Sequence, residues 1–297
     1  MRMSGYILLL SLLLIAGCDL YQQDDYKEYY VVESYLVAGD LLPLVRLSTT
    51  SPVEQKYTFE DNAVSDAQVV INRLNADSSI AQTYPYQQQD SGRYIPATNA
   101  IVQDEQLYQL SITTPDGDEI SATTFVPGNF TTVNDLQDQY IYQSEQQIEV
   151  HATASSYITE RQSYYIFTVN VVSPDTSKLT PFYRDLVLDQ DNDIENYYIN
   201  SSGIINEGNY EQNEDGTITL RVPWLAIAFF DTNYVVANAI DDNMYDFLRS
   251  QDVQTGGSTL SPGEIQNIRY NVEGGIGIFG SMSSDTNQVV ITRPGTQ

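Results

Sequence analysis

The chain has 297 residues and carries 13 basic against 40 acidic side chains, which gives a formal net charge of −27. Because such a surface repels phosphate groups and anionic lipids, this composition excludes nucleic acid and anionic membrane surfaces as binding partners. Cys18 is the only cysteine, so the chain can form neither an internal disulfide nor a cysteine-based zinc site.

The first predicted element is an export signal over residues 1–17. Arg2 precedes an apolar run from Ile7 to Ile15, which is too short for a permanent membrane helix of about 20 residues. The run ends in Ile15-Ala16-Gly17-Cys18, which resembles the bacterial lipobox. That resemblance implies cleavage before Cys18 and acylation of its sulfur, so that the mature chain is held by lipid. The alternative interpretation is a plain signal peptide.

An acidic tether over residues 18–28 leads into a predicted immunoglobulin-like β-sandwich over residues 29–127. Residues 107–114 and 119–126 flank Pro115-Asp116-Gly117 and predict a β-hairpin, because Pro presets the first turn position and Gly accepts a positive φ. Pro96 places the segment 92–96 at a sheet edge. Six or seven short strands in about 100 residues are typical of such a sandwich. The remaining strands are predicted from β-branched and aromatic residues at 29–37, 42–48 and 67–74.

Residues 128–297 are predicted to form a second β-rich, sandwich-like domain with one short helix. The helix is placed at 241–251, where Asp241 or Asp242 supplies an N-cap and apolar residues recur with helical spacing. The overall prediction is an all-β protein. Strands are expected at 145–154, 163–172, 183–188, 233–240 and 288–293. Residues 218–230, the most apolar stretch after Cys18, follow a hairpin turn at Glu214-Asp215-Gly216.

The C-terminal part contains a glycine motif, Gly275-x-Gly277-x-x-Gly280. A dinucleotide-binding fingerprint needs a strand before it and a long helix after it. Because only 17 residues follow Gly280 and the surroundings read as β, we reject that interpretation. The glycines instead predict a close backbone crossing with Ile276, Ile278 and Phe279 buried.

Asp189, Asp191 and Asp193 alternate in the sequence DQDNDIEN, and oxygen ligands at that spacing can surround Ca²⁺. The calcium-loop pattern also requires Gly at its sixth and Glu at its twelfth position, where this chain has Ile194 and Asn200. A solvated acidic turn is therefore favoured over a metal site. No other cofactor is indicated.

The sequence selects no catalytic group. His151 is the only histidine and lies in a strand-like alternation, and no G-x-S-x-G elbow accompanies it. With 40 acidic residues, a surface glycoside hydrolase that uses paired carboxylates remains an alternative, and a structural or adhesive envelope module is a further one. Some tyrosines, near Tyr140–Tyr142 or Tyr197–Tyr198, are candidates for a protein interface.

Five segments together resemble the Bacteroidota lipoproteins of the domain-of-unknown-function family DUF4249. They are the lipobox at Cys18, the opening strand 29–37, the hairpin 108–127, and the motifs 244–251 and 271–280. The resemblance implies a cell-envelope setting beside TonB-dependent receptors in nutrient uptake, and it assigns a role to Cys18 alone. We therefore expect a non-catalytic accessory lipoprotein, anchored in the outer membrane, that binds a TonB-dependent receptor or its ligand. The face of the membrane is left open.

Overall fold

The computed structural model describes residues 26–133, 136–158, 163–189, 192–205, 210–254 and 267–295. The predicted export signal, Cys18 and Asp191 lie outside these residues. The strands are β1 Tyr30–Val37, β2 Val45–Thr49, β3 Gln68–Leu74, β4 Ile80–Asp90, β5 Arg93–Pro96, β6 Leu107–Thr113, β7 Glu119–Phe125, β8 Gln139–Ile141, β9 Glu149–Thr153, β10 Tyr164–Val171, β11 Ile199–Ile205, β12 Glu211–Gln212, β13 Thr217–Arg221, β14 Asp231–Ile240, β15 Val272–Glu273 and β16 Ile276–Thr292. The α-helices are α1 Phe59–Asn62, α2 Pro181–Leu188 and α3 Asp242–Gln254. Short 3₁₀ helices cover Thr176–Lys178, Ile194–Tyr197 and Trp224–Ala226.

The first unit is an immunoglobulin-like sandwich of two sheet layers. Strands β1, β2 and β5 form one layer, β3, β6, β7 and β15 form the other, and β4 pairs with β3 in its first half and with β5 in its second. Strand β6 shows why the layers close on each other, since Tyr108, Leu110 and Ile112 are fully buried and alternate with half-exposed residues. This alternation is the pattern of a strand with one face on a core.

The predicted hairpin between β6 and β7 is confirmed. The Thr114 N–H donates to the Asp118 carbonyl at 2.9 Å, and the Gly117 N–H donates to the Thr114 carbonyl at 3.0 Å. Gly117 has a φ of +89°, the conformation for which glycine was expected at that position.

The second unit is also a sandwich. Its larger layer runs β11-β10-β14-β16, with β8 pairing along the end of β16, and its smaller layer is the sheet β12-β13-β9. The core between them contains Phe167 and Val235 from the larger layer and Val150 and Leu220 from the smaller one, each fully buried. The all-β class with two sandwich-like units is therefore confirmed.

Strand β16 belongs to both units. Residues 276–282 pair in parallel with residues 31–37 of β1, and residues 282–291 pair antiparallel with residues 231–240 of β14. The division of the chain at residue 127 stays a prediction. By hydrogen bonding, however, β15 and the first half of β16 belong to the first unit.

The predicted close backbone crossing is confirmed between β15 and β16. Strand β15 pairs with β7 up to Glu273, and only three residues later Ile276 pairs with β1. The backbone of residues 273–276 must therefore pass very close to both β7 and β1. A Cβ atom on Gly277, whose φ is +112°, would overlap the carbonyl oxygen of Val32. Ile278 and Phe279 are buried as expected, whereas Ile276 is only half-buried.

The strand predicted at 183–188 is wrong, because these residues form helix α2. Thr180 is the N-cap and Pro181 occupies the first turn, where its fixed φ suits a helix and its missing N–H costs nothing. The helix turns Tyr183 into the protein, and Leu186 and Val187 are half-buried beside it. Helix α2 and the single turn of α1 are additional to the one predicted helix.

The edge position expected for residues 92–96 is also wrong. Strand β5 lies between β2 and β4. Pro96 is tolerated because the pairing with β2 involves only Arg93 and Tyr94 and ends before the proline. Strand β4 itself, Ile80–Asp90, was not predicted, since most of its residues are exposed and only Tyr84 and Tyr86 pack against the core.

We expect Gly277→Ala to lower the free energy of unfolding by more than about 3 kcal/mol, because the new methyl group collides with backbone that cannot move aside. Gly117→Ala is the matched control, since its φ is also positive but no atom lies within 4 Å of the added Cβ. Its expected cost is about 1 kcal/mol. Urea unfolding of the mature chain measures both, and equal losses would contradict the crossing.

Candidate functional site

A polar cleft of about 370 Å³ lies beside the three-stranded sheet and contains the only histidine of the chain. Its lining comes from residues 137–151 and from Arg221. The pairing of β9 with β13 sets Arg221 opposite Glu149 and Thr219 opposite His151. Neighbouring strands thereby place complementary side chains on one face of the sheet.

Arg221 organises the charges of this cleft. Its Nε donates to Glu149 Oε1 at 2.8 Å and its Nη1 donates to Glu211 Oε1 at 3.0 Å, and these two hydrogen bonds raise the pKa of the guanidinium. All three side chains are at least 40% exposed, so each ion pair contributes no more than about 1 kcal/mol. These two ion pairs therefore contribute little to the stability of the fold.

His151 projects from β9 into the same cleft, with Nε2 at 3.8 Å from Glu149 Oε2. Its side chain is 41% exposed. The register places Glu211, Thr219 and His151 in one row across three strands, and Arg221 and Glu149 in the next row on the same face. Together these side chains offer both donors and acceptors to a polar ligand.

The acidic residues considered for Ca²⁺ lie at helix ends. Asp189 is the C-cap of α2, and Asp193 Oδ1 accepts the Glu195 N–H at 3.0 Å to cap the following 3₁₀ helix. Asp191 lies outside the described residues, so the calcium hypothesis stays a prediction. Among the residues that the structure describes, no three His, Cys, Asp or Glu side chains are grouped as a metal site requires.

Two of the tyrosines considered for an interface are core residues. Tyr140 and Tyr142 are 6% and 3% exposed, so the interface interpretation is wrong for them. Tyr197 and Tyr198 are half-buried and pack against Tyr183 and other aromatic rings beneath α2.

Three exposed apolar side chains lie on α2 and on the turn bonded to it, and we call them the α2 surface. They are Phe182, Leu188 and Leu225, which are 48%, 60% and 60% exposed. Phe182 and Leu188 come from the helix, and Leu225 lies in the 3₁₀ helix Trp224–Ala226. Sequence reasoning missed this surface because it placed a strand at 183–188, although Thr180-Pro181 is a helix-start signal.

Polar contacts fix the two parts of the α2 surface to each other and to β11. Tyr183 Oη donates to the Leu225 carbonyl at 2.5 Å, and Asn200 Nδ2 donates to the same oxygen at 3.1 Å. The Thr180 N–H donates to the Ala228 carbonyl at 2.9 Å. Helix, turn and strand are therefore held in a fixed arrangement before anything binds.

The most buried carboxyl of the described residues belongs to Asp241, which joins three elements. Its Oδ1 accepts the Met244 N–H at 2.9 Å and caps α3, as the sequence predicted, while its Oδ2 accepts from Thr124 Oγ1 of β7 at 2.6 Å. Thr124 Oγ1 also lies 2.7 Å from Ser281 Oγ of β16. Burial raises the pKa of Asp241 from its ordinary value of 3.8 to about 6, against the hydrogen bonds that lower it.

This raised pKa predicts a specific pH dependence of stability. Between about pH 4 and pH 6 the native carboxyl keeps a proton that the unfolded chain has lost, so the free energy of unfolding falls as pH rises, by about 3 kcal/mol in total. Asp241→Asn should lack this fall, whereas the exposed neighbour variant Asp242→Asn should keep most of it, because burial is the main cause of the raised pKa of Asp241 and the Asp242 charge is a minor one. Urea unfolding at several pH values measures the difference. Parallel curves for Asp241→Asn and the unmodified chain would contradict the assignment.

None of the helices in the described part of the chain is both long and apolar enough to cross a membrane. A search of curated proteins found no match to this chain.

Solved structures show only remote similarity. A tetra-tandem repeat from the extending region of a large adhesion protein is 12% identical with a TM-score of 0.23, and the match covers 89% of this chain and 49% of that one. Trypsin-activated alpha-2-macroglobulin from Escherichia coli is 7% identical with a TM-score of 0.21, covering 73% and 14%. Salmonella alpha-2-macroglobulin reacted with methylamine is 10% identical with a TM-score of 0.24, covering 89% and 15%. This chain spans about half of the first structure and less of the others, and similarity at such TM-scores does not establish a shared fold or function.

The family model gives a clear assignment. It is described as a domain of unknown function, DUF4249, and it matches residues 19–288, which is most of the sequence. The match includes the hairpin and both C-terminal motifs on which the resemblance was based. The chain therefore belongs to the DUF4249 family.

Proposed function

We propose that this chain is a lipid-anchored accessory protein of the bacterial outer membrane, which acts by binding a partner and not by catalysis. The observation that carries the proposal is the lipobox-like Ile15-Ala16-Gly17-Cys18, placed directly before a short acidic tether and two β-sandwiches. The proposed partner is a TonB-dependent receptor or the ligand that it imports, as the family resemblance implies.

Two surfaces of the described chain support a binding role. The α2 surface exposes three large apolar side chains on a protein whose net charge is −27, and apolar exposure of this kind marks interaction sites. The cleft around Arg221 offers hydrogen-bonding groups to a polar ligand. The first surface suits a protein partner and the second suits a small polar molecule.

The anchor is tested by Cys18→Ala in a host that processes bacterial lipoproteins. The unmodified chain should incorporate labelled fatty acid and partition into detergent, because several acyl chains at about 0.8 kcal/mol per buried CH₂ hold it at the membrane. Cys18→Ala should do neither, while Ser11→Ala, inside the apolar run, should behave as the unmodified chain. Mass spectrometry of the mature N-terminus decides the outcome. A free thiol at Cys18 on an uncleaved leader would contradict the proposal.

The partner is tested by purification of the anchored protein from its own membranes in mild detergent. We expect a TonB-dependent β-barrel receptor to co-purify in a fixed ratio, identified by mass spectrometry. A resident inner-membrane protein serves as the contamination control. Recovery of the lipoprotein without any such receptor would contradict the proposed partnership.

A further inference from the structure

We propose that the α2 surface docks a segment of a partner protein that combines apolar side chains with lysine or arginine. This inference rests on the proposed function for its setting, since it names the chemistry of the partner. It concerns Phe182 and Leu188 of α2 and Leu225 of the neighbouring 3₁₀ helix, two elements held together by the Tyr183 and Asn200 hydrogen bonds.

The geometry favours binding because the surface is pre-arranged. The carbonyl of Leu225 accepts hydrogen bonds from both α2 and β11, so the turn that carries Leu225 is held from two sides. Beneath it, Tyr183 and Phe229 are 5% and 1% exposed and form a packed floor. The apolar side chains that a partner would contact are already held in place by the fold. Binding therefore costs less conformational entropy than it would at a flexible surface.

The acidic residues around the α2 surface favour a partner segment with positive charge. Asp185 and Asp189 lie on the exposed side of α2, and Asp193 and Glu195 follow it, all four of them exposed. Between residues 181 and 199 Arg184 is the only basic residue. A segment with lysine or arginine beside its apolar groups complements this rim, and the attraction should weaken with salt.

The same charge argues against two other occupants. A second copy of this chain would bring one acidic rim against another and a net charge of −27 against −27, which opposes association. An anionic lipid surface is repelled for the same reason. The observations thus favour a basic and apolar protein segment.

The test uses the mature chain and a fluorescent twelve-residue peptide of alternating leucine and lysine. Fluorescence anisotropy should show binding that Phe182→Ser and Leu225→Ser each weaken at least about tenfold, since each removes a buried apolar contact at the interface. Val53→Ser is the matched control, because Val53 is 89% exposed in a loop of the first unit and should have no effect. Asp185→Asn with Asp189→Asn should weaken binding and flatten its salt dependence. Circular dichroism confirms that each variant is folded.

Several results would overturn the inference. One is equal weakening by Val53→Ser and Phe182→Ser, and another is equal affinity for a leucine–glutamate peptide. A dimer in sedimentation that Phe182→Ser abolishes would assign the surface to self-association. Binding to phosphatidylcholine vesicles that is lost in the same variant would assign it to lipid.

The outcome separates this inference from the proposed function. Loss of the receptor from the membrane purification, with peptide binding and its variant pattern intact, overturns the proposed partnership alone. The opposite outcome is that Phe182→Ser and Leu225→Ser both retain the receptor and bind the peptide as tightly as the unmodified chain. That result overturns only the assignment of the α2 surface as the docking site.

Discussion

The structure depends on a single strand that two sandwiches share. Strand β16 completes the layer of the first unit beside β1 and then continues as the neighbour of β14 in the second unit. Its parallel partner Val31 lies 245 residues before Ile276 in the sequence (276 − 31 = 245). Pairing over such a separation is slow to form, so the first unit keeps an open sheet edge until the C-terminal strand arrives.

The two C-terminal family motifs, residues 244–251 and 271–280, meet on this strand. Met244 of α3 packs against Gly280, where a Cβ would meet its side chain, and Asn271 exchanges hydrogen bonds with the backbone of Phe279 at 2.8 and 3.0 Å. Asp241 ties the start of α3 to Thr124 of the first unit. The glycines and the helix motif therefore specify how β16 passes between the units.

Local signals predicted local structure, and the failures have physical causes. The β6–β7 hairpin was predictable because the turn residues and the buried alternation agree. Strand β4 was not, since only Tyr84 and Tyr86 of its eleven residues pack against the core and the strand is held by its neighbours in the sheet. The apolar residues of the segment 183–188 fit the spacing of a strand as well as that of a helix. Only the helix-start signal Thr180-Pro181 distinguishes the two structures. Nothing local in Ile276–Thr292 indicates that its first half pairs with β1 and its second half with β14.

The helical form of α2 is what creates the α2 surface. A strand would bury every second residue, whereas the helix turns Tyr183 inward and leaves Phe182 and Leu188 exposed on its outer side. Strand β11, whose Asn200 donates to the Leu225 carbonyl, is separated from β16 by β10 and β14, a distance of about 14 Å at the usual strand spacing. The side chains of the α2 surface therefore take no part in the pairing of the shared strand, and substitutions there leave that pairing unchanged.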